Sequence, residues 1–142
     1  MKTNTFSPGR VILSIVAVYS AFGSYIFDWN HTHIYNPHWP PHAKFHNAQT
    51  MLLGSCLGLM SLWVLWAERS EPRMRLRMAT LLASFYWLTQ MGSIFFPGTA
   101  LVDPEFARPG RLPEQLIVDV VMLGLLAVAY PVERRRLETY GR

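Results

Sequence analysis

Three long stretches of this chain consist of apolar and small residues without a single charged one. They cover 11–27, 51–67 and 78–96, and are 17, 17 and 19 residues long. A fourth apolar stretch, 116–132, contains one carboxylate, Asp119. Since a helix needs roughly 17–25 apolar residues to cross a bilayer, each stretch is long enough. The pattern predicts an all-α fold, an integral membrane antiparallel four-helix bundle, forming one domain over 1–142 with spans at about 11–27, 50–67, 78–96 and 116–132.

Two other interpretations compete with this one. A soluble four-helix bundle would show a polar face at every turn of its helices, and these stretches do not. A charged start followed by an apolar core also describes a signal peptide, with a cleavage site near Ala21–Gly23. The first apolar stretch is longer than the usual signal core of about 7–15 residues, which favours a retained span.

Prolines and charged residues mark the ends of the predicted helices. Asp28 ends the first span, and Pro41 can be the first residue of the second helix, where a missing amide hydrogen costs nothing. We expect that helix to continue to about Ala67. The third span should stop at Phe96-Pro97-Gly98, and the fourth at Pro131, followed by a solvated basic tail.

Positive charge is unevenly distributed between the two ends of such a bundle. Four spans put both termini and the 68–77 turn on one side, with ten Lys and Arg residues against three on the other. The ten are Lys2, Arg10, Arg69, Arg73, Arg75, Arg77, Arg134, Arg135, Arg136 and Arg142; the three are Lys44, Arg108 and Arg111. The positive-inside rule therefore predicts cytoplasmic termini and an extracytoplasmic loop after the first span.

The same distribution bears on the net charge of +4. Membrane topology explains it better than nucleic-acid binding, so we expect a bilayer and no nucleic acid as partner. The single cysteine, Cys56, excludes a disulfide or a Cys-x-x-Cys redox pair within one chain.

All five histidines lie between Asp28 and Thr50, in the segment that joins the first two spans. Asn36-Pro37 and Pro40-Pro41 prevent a helix in the first part of this segment. In the second part, one helix face should carry evenly spaced side chains: His42, His46, Gln49 and Leu53. We expect this face to lead from the loop into the bundle.

Two polar residues of other spans should approach that face. A carboxylate inside a span is costly unless it is paired or hydrated, so Asp119 should point inward, near the level of His46 or Gln49. Gln90 lies in the matching half of the third span. The residues His42, His46, Asp119 and Asp28 are then candidate ligands for zinc, iron or copper, because imidazole and carboxylate groups suit these ions.

Simpler roles for the same residues remain open. His31, His33 and His38 are typical of a wet interfacial loop, and His42 and His46 could anchor it by hydrogen bonds. Asp119 could instead pair with Lys44 or Arg111. The chain contains no His-Glu-x-x-His, Gly-x-Ser-x-Gly or P-loop motif, so no catalytic residue can be named.

The run from Asn36 to Asn47, Asn-Pro-His-Trp-Pro-Pro-His-Ala-Lys-Phe-His-Asn, resembles the signature of a family of small, uncharacterised four-span membrane proteins, a domain of unknown function. In span number and size the chain also looks like the DoxX-like group, some members of which are linked to quinone-coupled oxidation. The first resemblance implies a four-span membrane fold and no particular activity.

Three functions are compatible with these observations. The first is a site for a lipid, sterol or quinone-like molecule, formed by His42, His46, Gln49, Gln90, Asp119 and Trp39. The second is a non-catalytic partner subunit, in a homo- or hetero-oligomer assembled through Gly54 and Gly58, whose small-xxx-small spacing lets helices approach closely. The third is the transition-metal site.

Overall fold

The computed structural model describes residues 6–67 and 71–140, and these form an all-helical bundle. Its helices are α1 (Pro8–Asp28), α2 (Pro41–Trp66), α3 (Pro72–Gly92) and α4 (Glu114–Tyr140), with a 3₁₀ turn, Ser93–Phe95, after α3. The predicted fold class and the predicted start and length of the second helix are confirmed. Lys2, Arg69 and Arg142, which the positive-charge comparison includes, lie outside the described residues.

Proline begins three of the four helices: Pro8, Pro41 and Pro72 are each the first helical residue. The fixed φ angle of proline suits this position, and its missing amide hydrogen would have no partner there. Glu71 adds a cap to α3, because its carboxylate accepts hydrogen bonds from the amides of Arg73 and Met74 at 3.0 and 2.8 Å.

Each helix packs against its neighbours in a closed ring: α1 contacts α2 and α4, and α3 contacts the same two helices from the other side. The core consists of small and aliphatic residues from all four helices together with Tyr86 and Trp87 of α3. Large apolar side chains such as Ile15, Phe22, Leu52 and Val120 lie on the outside and are roughly half exposed. An exterior of this kind is typical of a surface that faces lipid.

The closest helix contact is between α1 and α2, at the two glycines four residues apart. A Cβ atom on Gly58 would lie 2.3 Å from the Ala17 carbonyl oxygen, and one on Gly54 would lie 2.7 Å from that of Ser20. The expected close approach of another helix is therefore made by α1 of the same chain. This corrects the predicted use of Gly54 and Gly58 in an oligomer, because both glycines are buried inside the bundle.

The helix that contains the fourth predicted span does not stop at Pro131, since α4 continues through this proline to Tyr140. Proline removes one helical hydrogen bond, but contacts beyond it hold the helix in place. Glu133, expected in a solvated tail, is only 2% exposed. It accepts a hydrogen bond from the Ser7 hydroxyl and pairs with Arg136 at 2.7 Å.

Three of the helices, α1, α2 and α4, are long and apolar enough to cross a membrane by length and composition. Helix α3 has a lower mean hydropathy because arginines occupy its first turns and polar residues its last. It also ends at Gly92, short of the predicted limit at residue 96. Its outward face is nevertheless apolar, with Met78, Leu81, Phe85 and Leu88 each between 43% and 52% exposed.

The two connections at one end of the bundle, 29–40 and 96–113, are held together by a set of side-chain contacts that we call the loop clamp. Asn36, 1% exposed, donates to one oxygen of Glu105 at 2.7 Å, and His38 Nδ1 lies 2.8 Å from the other. Trp39 Nε1 donates to Asp103 at 2.9 Å. The loop histidines thus have identifiable structural contacts.

The glycine contact between α1 and α2 can be tested with a matched pair of substitutions. Gly58→Ala places a methyl group against the backbone of α1 and should destabilise the bundle by about 1–3 kcal/mol. Gly124→Ala is the control, because a Cβ there meets nothing within 4 Å. It should be neutral or slightly stabilising, since alanine is the better helix former. Thermal unfolding of the purified protein in detergent measures both, and equal stability of the two variants would contradict the assigned contact.

The loop clamp should open in acid. The hydrogen bonds from Asn36 and then His38 hold the pKa of Glu105 below its usual range. A depressed carboxyl pKa means that this stabilisation is complete above the unfolded-state value of about 4.3 and is lost as the pH falls through the folded-state value. Amide exchange of 29–40 and 97–113, referenced to the unstructured rate at each pH, should therefore rise in that range. Glu105→Gln should raise the amide exchange rate of both loops already at neutral pH. Glu114→Gln, at another exposed carboxylate, should follow the wild type. If the exchange rates of Glu105→Gln equal those of the wild type at every pH, the loop clamp is contradicted.

Candidate functional site

Helix α4 turns one narrow stripe of residues toward the bundle. Its buried positions are separated by three and four residues: Asp119, Met122, Leu126, Ala129 and Glu133. This spacing is that of a helix packed on one side against neighbours. A carboxylate lies at each end of the stripe, about 21 Å apart at a rise of about 1.5 Å per residue.

The two carboxylates are in opposite situations. Glu133 has partners for both oxygens, as described above. Asp119 is 0% exposed, and neither of its oxygens has a hydrogen-bond partner among the described residues. Asp119 therefore does not form the ion pair with Lys44 or Arg111 that the sequence allowed. A buried charged group without a partner is among the most costly features a fold can carry.

Other buried polar atoms without a partner occur at the same end of the bundle. They are Ser24 Oγ of α1, Asn47 Oδ1 of α2, and Trp87 Nε1 and Gln90 Oε1 of α3. With Asp119 of α4, every helix contributes at least one such atom, each within about two turns of the end that meets the loop clamp. We call these five residues the inner polar cluster.

Tyr86 connects this cluster to the end of α1. It is 6% exposed, its ring lies against Gly54, and its hydroxyl is within electrostatic range of both Asp119 and Asp28. Ser24 lies beside the same hydroxyl, but not in the geometry of a hydrogen bond. Asp28 in turn accepts a hydrogen bond from Asn47 at 3.1 Å and lies 3.9 Å from His33 Nε2.

The hydrogen-bonding capacity of the cluster is unbalanced. Asp119, Gln90 and Asn47 offer acceptor oxygens, while Trp87 Nε1 can only donate and the Ser24 hydroxyl can do either. A group that brought hydroxyl or amine hydrogens would satisfy the excess of acceptors. Aromatic rings border the site, because Trp87 packs against Tyr19 and Tyr86 at 5.9 and 5.1 Å between ring centroids.

The predicted face of His42, His46, Gln49 and Leu53 does not lead into the bundle: all four residues are exposed. The regular spacing places them on one face but does not say which way it points. The buried residues of α2 determine the direction, and the small ones among them, Gly54, Gly58 and Ser61, let α1 and α3 approach closely. His42 and His46 contact each other, with 3.0 Å between their Nε2 atoms, and Gln49 Oε1 lies 3.2 Å from His46 Nδ1.

The predicted metal ligands are thus divided between two places. His42 and His46 lie on the outside of α2, whereas Asp28 and Asp119 belong to the interior around Tyr86. Within the described parts of the chain, no group of three or more His, Cys, Asp or Glu side chains is placed to hold a metal ion. The structure does not bring the four predicted zinc, iron or copper ligands together.

Of the predicted ligand-binding residues, Gln90 and Asp119 belong to the inner polar cluster, since each has a buried oxygen without a partner. Trp39 belongs to the loop clamp instead, where its ring also lies 4.9 Å from that of His33. Sequence reasoning missed Tyr86, Ser24 and Asn47. The signal that could have found Ser24 and Tyr86 is that each interrupts an apolar run, whereas Asn47 lies in the polar first turns of α2 and gave no such signal.

The inner polar cluster is closed to solvent, since Asp119, Trp87 and Ser24 are each no more than 9% exposed. A ligand must therefore displace side chains or enter between helices. A cleft of about 690 Å³ lies at the opposite end of the bundle and includes none of these residues.

Comparison with known proteins assigns the chain to a family but not to an activity. No curated protein and no solved structure matches it. The model of a family of unknown function, DUF6640, matches residues 12–141, which is nearly the whole chain and includes the loop clamp and the inner polar cluster. The protein therefore belongs to the DUF6640 family of unknown function.

Proposed function

We propose that this protein binds a small apolar molecule inside the membrane and holds the hydroxyl or amine group of that molecule at Asp119. One observation carries the proposal: the Asp119 carboxylate is fully buried and has no partner among the described residues, and unpartnered polar atoms of the other three helices lie at the same end of the bundle. Ligand sites usually combine apolar walls with a few convergent polar groups, and this cluster has that composition.

Energetics support a role beyond packing. A buried polar group without a hydrogen bond costs about 1–3 kcal/mol, and a charged one costs more. The stripe of α4 would be filled equally well by leucine or methionine, as it is at Leu126 and Met122. A residue that weakens the fold in this way is typical of a functional site.

The unbalanced hydrogen-bonding capacity favours one kind of ligand. Among lipid, sterol and quinone-like molecules, those with a hydroxyl hydrogen, such as a sterol or a quinol, can donate to Asp119 or Gln90. A ketone or quinone could only accept, and among the unpartnered buried atoms of the cluster it would find two donors, Trp87 Nε1 and the Ser24 hydroxyl. The likeness to the DoxX-like group in size and span number agrees with a quinol but rests on topology alone.

A route for protons accompanies the site. Exposure increases stepwise from Asp119 at 0% and Tyr86 at 6% to the side chains of Asp28 at 19% and His33 at 33%. Side chains with carboxyl, hydroxyl or imidazole groups are thus ordered by exposure between the buried carboxylate and the loop clamp. We propose that Asp119 exchanges its proton along these residues when the ligand binds.

Variants at Asp119 and Gln90, compared with variants at His42 and His46, test where a hydroxyl-bearing ligand binds. We expect Asp119→Asn to reduce photocrosslinking of a diazirine sterol with a 3-hydroxyl group by at least about tenfold, for the loss of a charge-assisted hydrogen bond worth about 1.5–3 kcal/mol. Gln90→Ala removes a neutral acceptor worth about 0.5–1.5 kcal/mol and should reduce crosslinking by about tenfold or less. The double variant His42→Ala/His46→Ala should crosslink like the wild type. The 3-keto analogue and a quinol–quinone pair serve as chemical controls. Loss of crosslinking in the histidine variant alone would place the ligand on the outer face of α2 and contradict this site.

Stability provides a second, independent readout. Because Asp119 has no partner, Asp119→Asn should leave the thermal stability of the ligand-free protein unchanged or raise it by about 1 kcal/mol. Glu133→Gln, at the other end of the same stripe, should lower it, since Ser7 and Arg136 then lose an ionised partner. A strongly destabilised Asp119→Asn protein would indicate a structural role for this carboxylate.

We further propose that all four helices cross the membrane, with both termini cytoplasmic and the loop clamp extracytoplasmic. The charge bias and the apolar outer face of α3 support this arrangement. In a Cys56→Ser background, His38→Cys should react with an impermeant maleimide in intact cells. Arg135→Cys should react only after the membrane is opened. The reverse pattern would contradict the orientation.

A further inference from the structure

The end of the bundle opposite to the loop clamp contains a cleft that the proposed function does not use. It measures about 690 Å³ and lies between the start of α3 and the last turns of α4. We call it the arginine cleft, because five of its lining residues are arginines and two are glutamates. The arginines are Arg10, Arg73, Arg75, Arg77 and Arg136, and the glutamates are Glu71 and Glu133.

Both glutamates are already engaged within the fold. Glu133 is held by Ser7 and Arg136, as described above. Glu71 caps α3, and the hydrogen bonds from the amides of Arg73 and Met74 hold its pKa below its usual range, so it stays ionised. Since the capping acid uses these amides, an incoming anion would be bound by guanidinium groups and not by the helix start.

The arginines retain donors. Arg10 and Arg136 have contacts within the fold, to the Leu65 carbonyl oxygen and to Glu133. Arg75 donates from Nη1 to the Ala67 carbonyl oxygen, while its buried Nε has no partner among the described residues. Arg73 and Arg77 both lie within electrostatic range of the Glu71 carboxylate, which caps α3. The cleft therefore has a net positive charge and guanidinium groups that match phosphate oxygens.

The remaining lining is apolar and includes Leu65, Leu76 and Leu137. Two of these, Leu65 and Leu76, belong to the core cluster, so the cleft adjoins the hydrophobic core of the bundle. A soluble anion would gain nothing from these leucines. A molecule with an anionic head and an acyl chain would contact both parts, and basic pockets between membrane helices commonly take phospholipid heads.

We propose that the arginine cleft binds the phosphate head group of an anionic membrane phospholipid, with Arg73 and Arg77 as the main contacts. Free phosphate shares the head-group chemistry, and the apolar lining is the reason to prefer the lipid. This inference is independent of the ligand at Asp119.

The experiment uses the full chain in detergent and follows lipid binding by native mass spectrometry, titrating phosphatidylglycerol, phosphatidylcholine and inorganic phosphate separately. We expect phosphatidylglycerol to bind best. At about 1 kcal/mol for each basic group, Arg73→Gln/Arg77→Gln should weaken its binding about tenfold to thirtyfold. Arg73→Lys/Arg77→Lys, which keeps the charge, should recover part of the loss.

Two control variants separate the cleft from bulk charge. Arg108→Gln/Arg111→Gln removes the same charge from the other end of the bundle, and Arg135→Gln removes one from the exposed side of α4. Both should bind phosphatidylglycerol like the wild type. The proposal is overturned if these controls lose as much phosphatidylglycerol binding as the Arg73/Arg77 variant does, or if that variant binds phosphatidylglycerol like the wild type. It is also overturned if inorganic phosphate binds as tightly as phosphatidylglycerol. If the double variant does not fold, Arg77→Gln alone is measured against Arg135→Gln by the same criteria.

Discussion

The approach of α2 to α1 is the contact on which the other features depend. With Gly58 against the Ala17 carbonyl and Gly54 against that of Ser20, the two backbones touch without intervening side chains. The same interface is extended by Ser55, which donates to the Ala21 carbonyl oxygen at 2.8 Å, and ends where Asn47 meets Asp28. Without a hydrophobic force between helices in lipid, close backbone packing and such hydrogen bonds supply the attraction. They also fix the space in which Tyr86 lies.

The buried polar residues at the two ends of the bundle differ in whether their hydrogen bonds are satisfied. At one end, Glu133 is fully satisfied and joins α4 to the residue before α1, so it contributes to stability. At the other, Asp119 and its neighbours leave acceptors unsatisfied, and the loop clamp lies over the helix ends that contain them. The two buried carboxylates of α4 therefore differ in their surroundings: Glu133 has hydrogen-bond partners and Asp119 has none among the described residues. The contrast between the two carboxylates of one helical stripe is what distinguishes a structural from a functional group here.

Sequence patterns were sufficient where one local rule determines the result. Charge-free runs gave the helices, and proline at Pro41 gave the start of α2, because length and a missing amide hydrogen are local properties. They failed where the result depends on a partner helix. The spacing of His42 and His46 could not reveal that α2 turns Gly54 and Gly58 inward and the histidines outward. Likewise Pro131 ends the fourth predicted span but not the helix, since Ser7, far away in sequence, helps to hold α4 beyond it. The hydrogen bonds of Glu105, and the lack of a partner at Asp119 among the described residues, likewise depend on contacts between segments that are distant in sequence.

Pro131 has a mechanical consequence for the molecule. Because it cannot donate to the carbonyl of Ala127, α4 is least stiff at that level, although the helix is continuous. The segment beyond it carries Arg136 and Leu137, which line one wall of the arginine cleft, while the wall on α3 is anchored separately by the Glu71 cap. Bending at this one residue would change the width of the cleft and leave the packing around Asp119 undisturbed. A bend at Pro131 would thus move the last turns of α4, and with them one wall of the arginine cleft, relative to the rest of the helix.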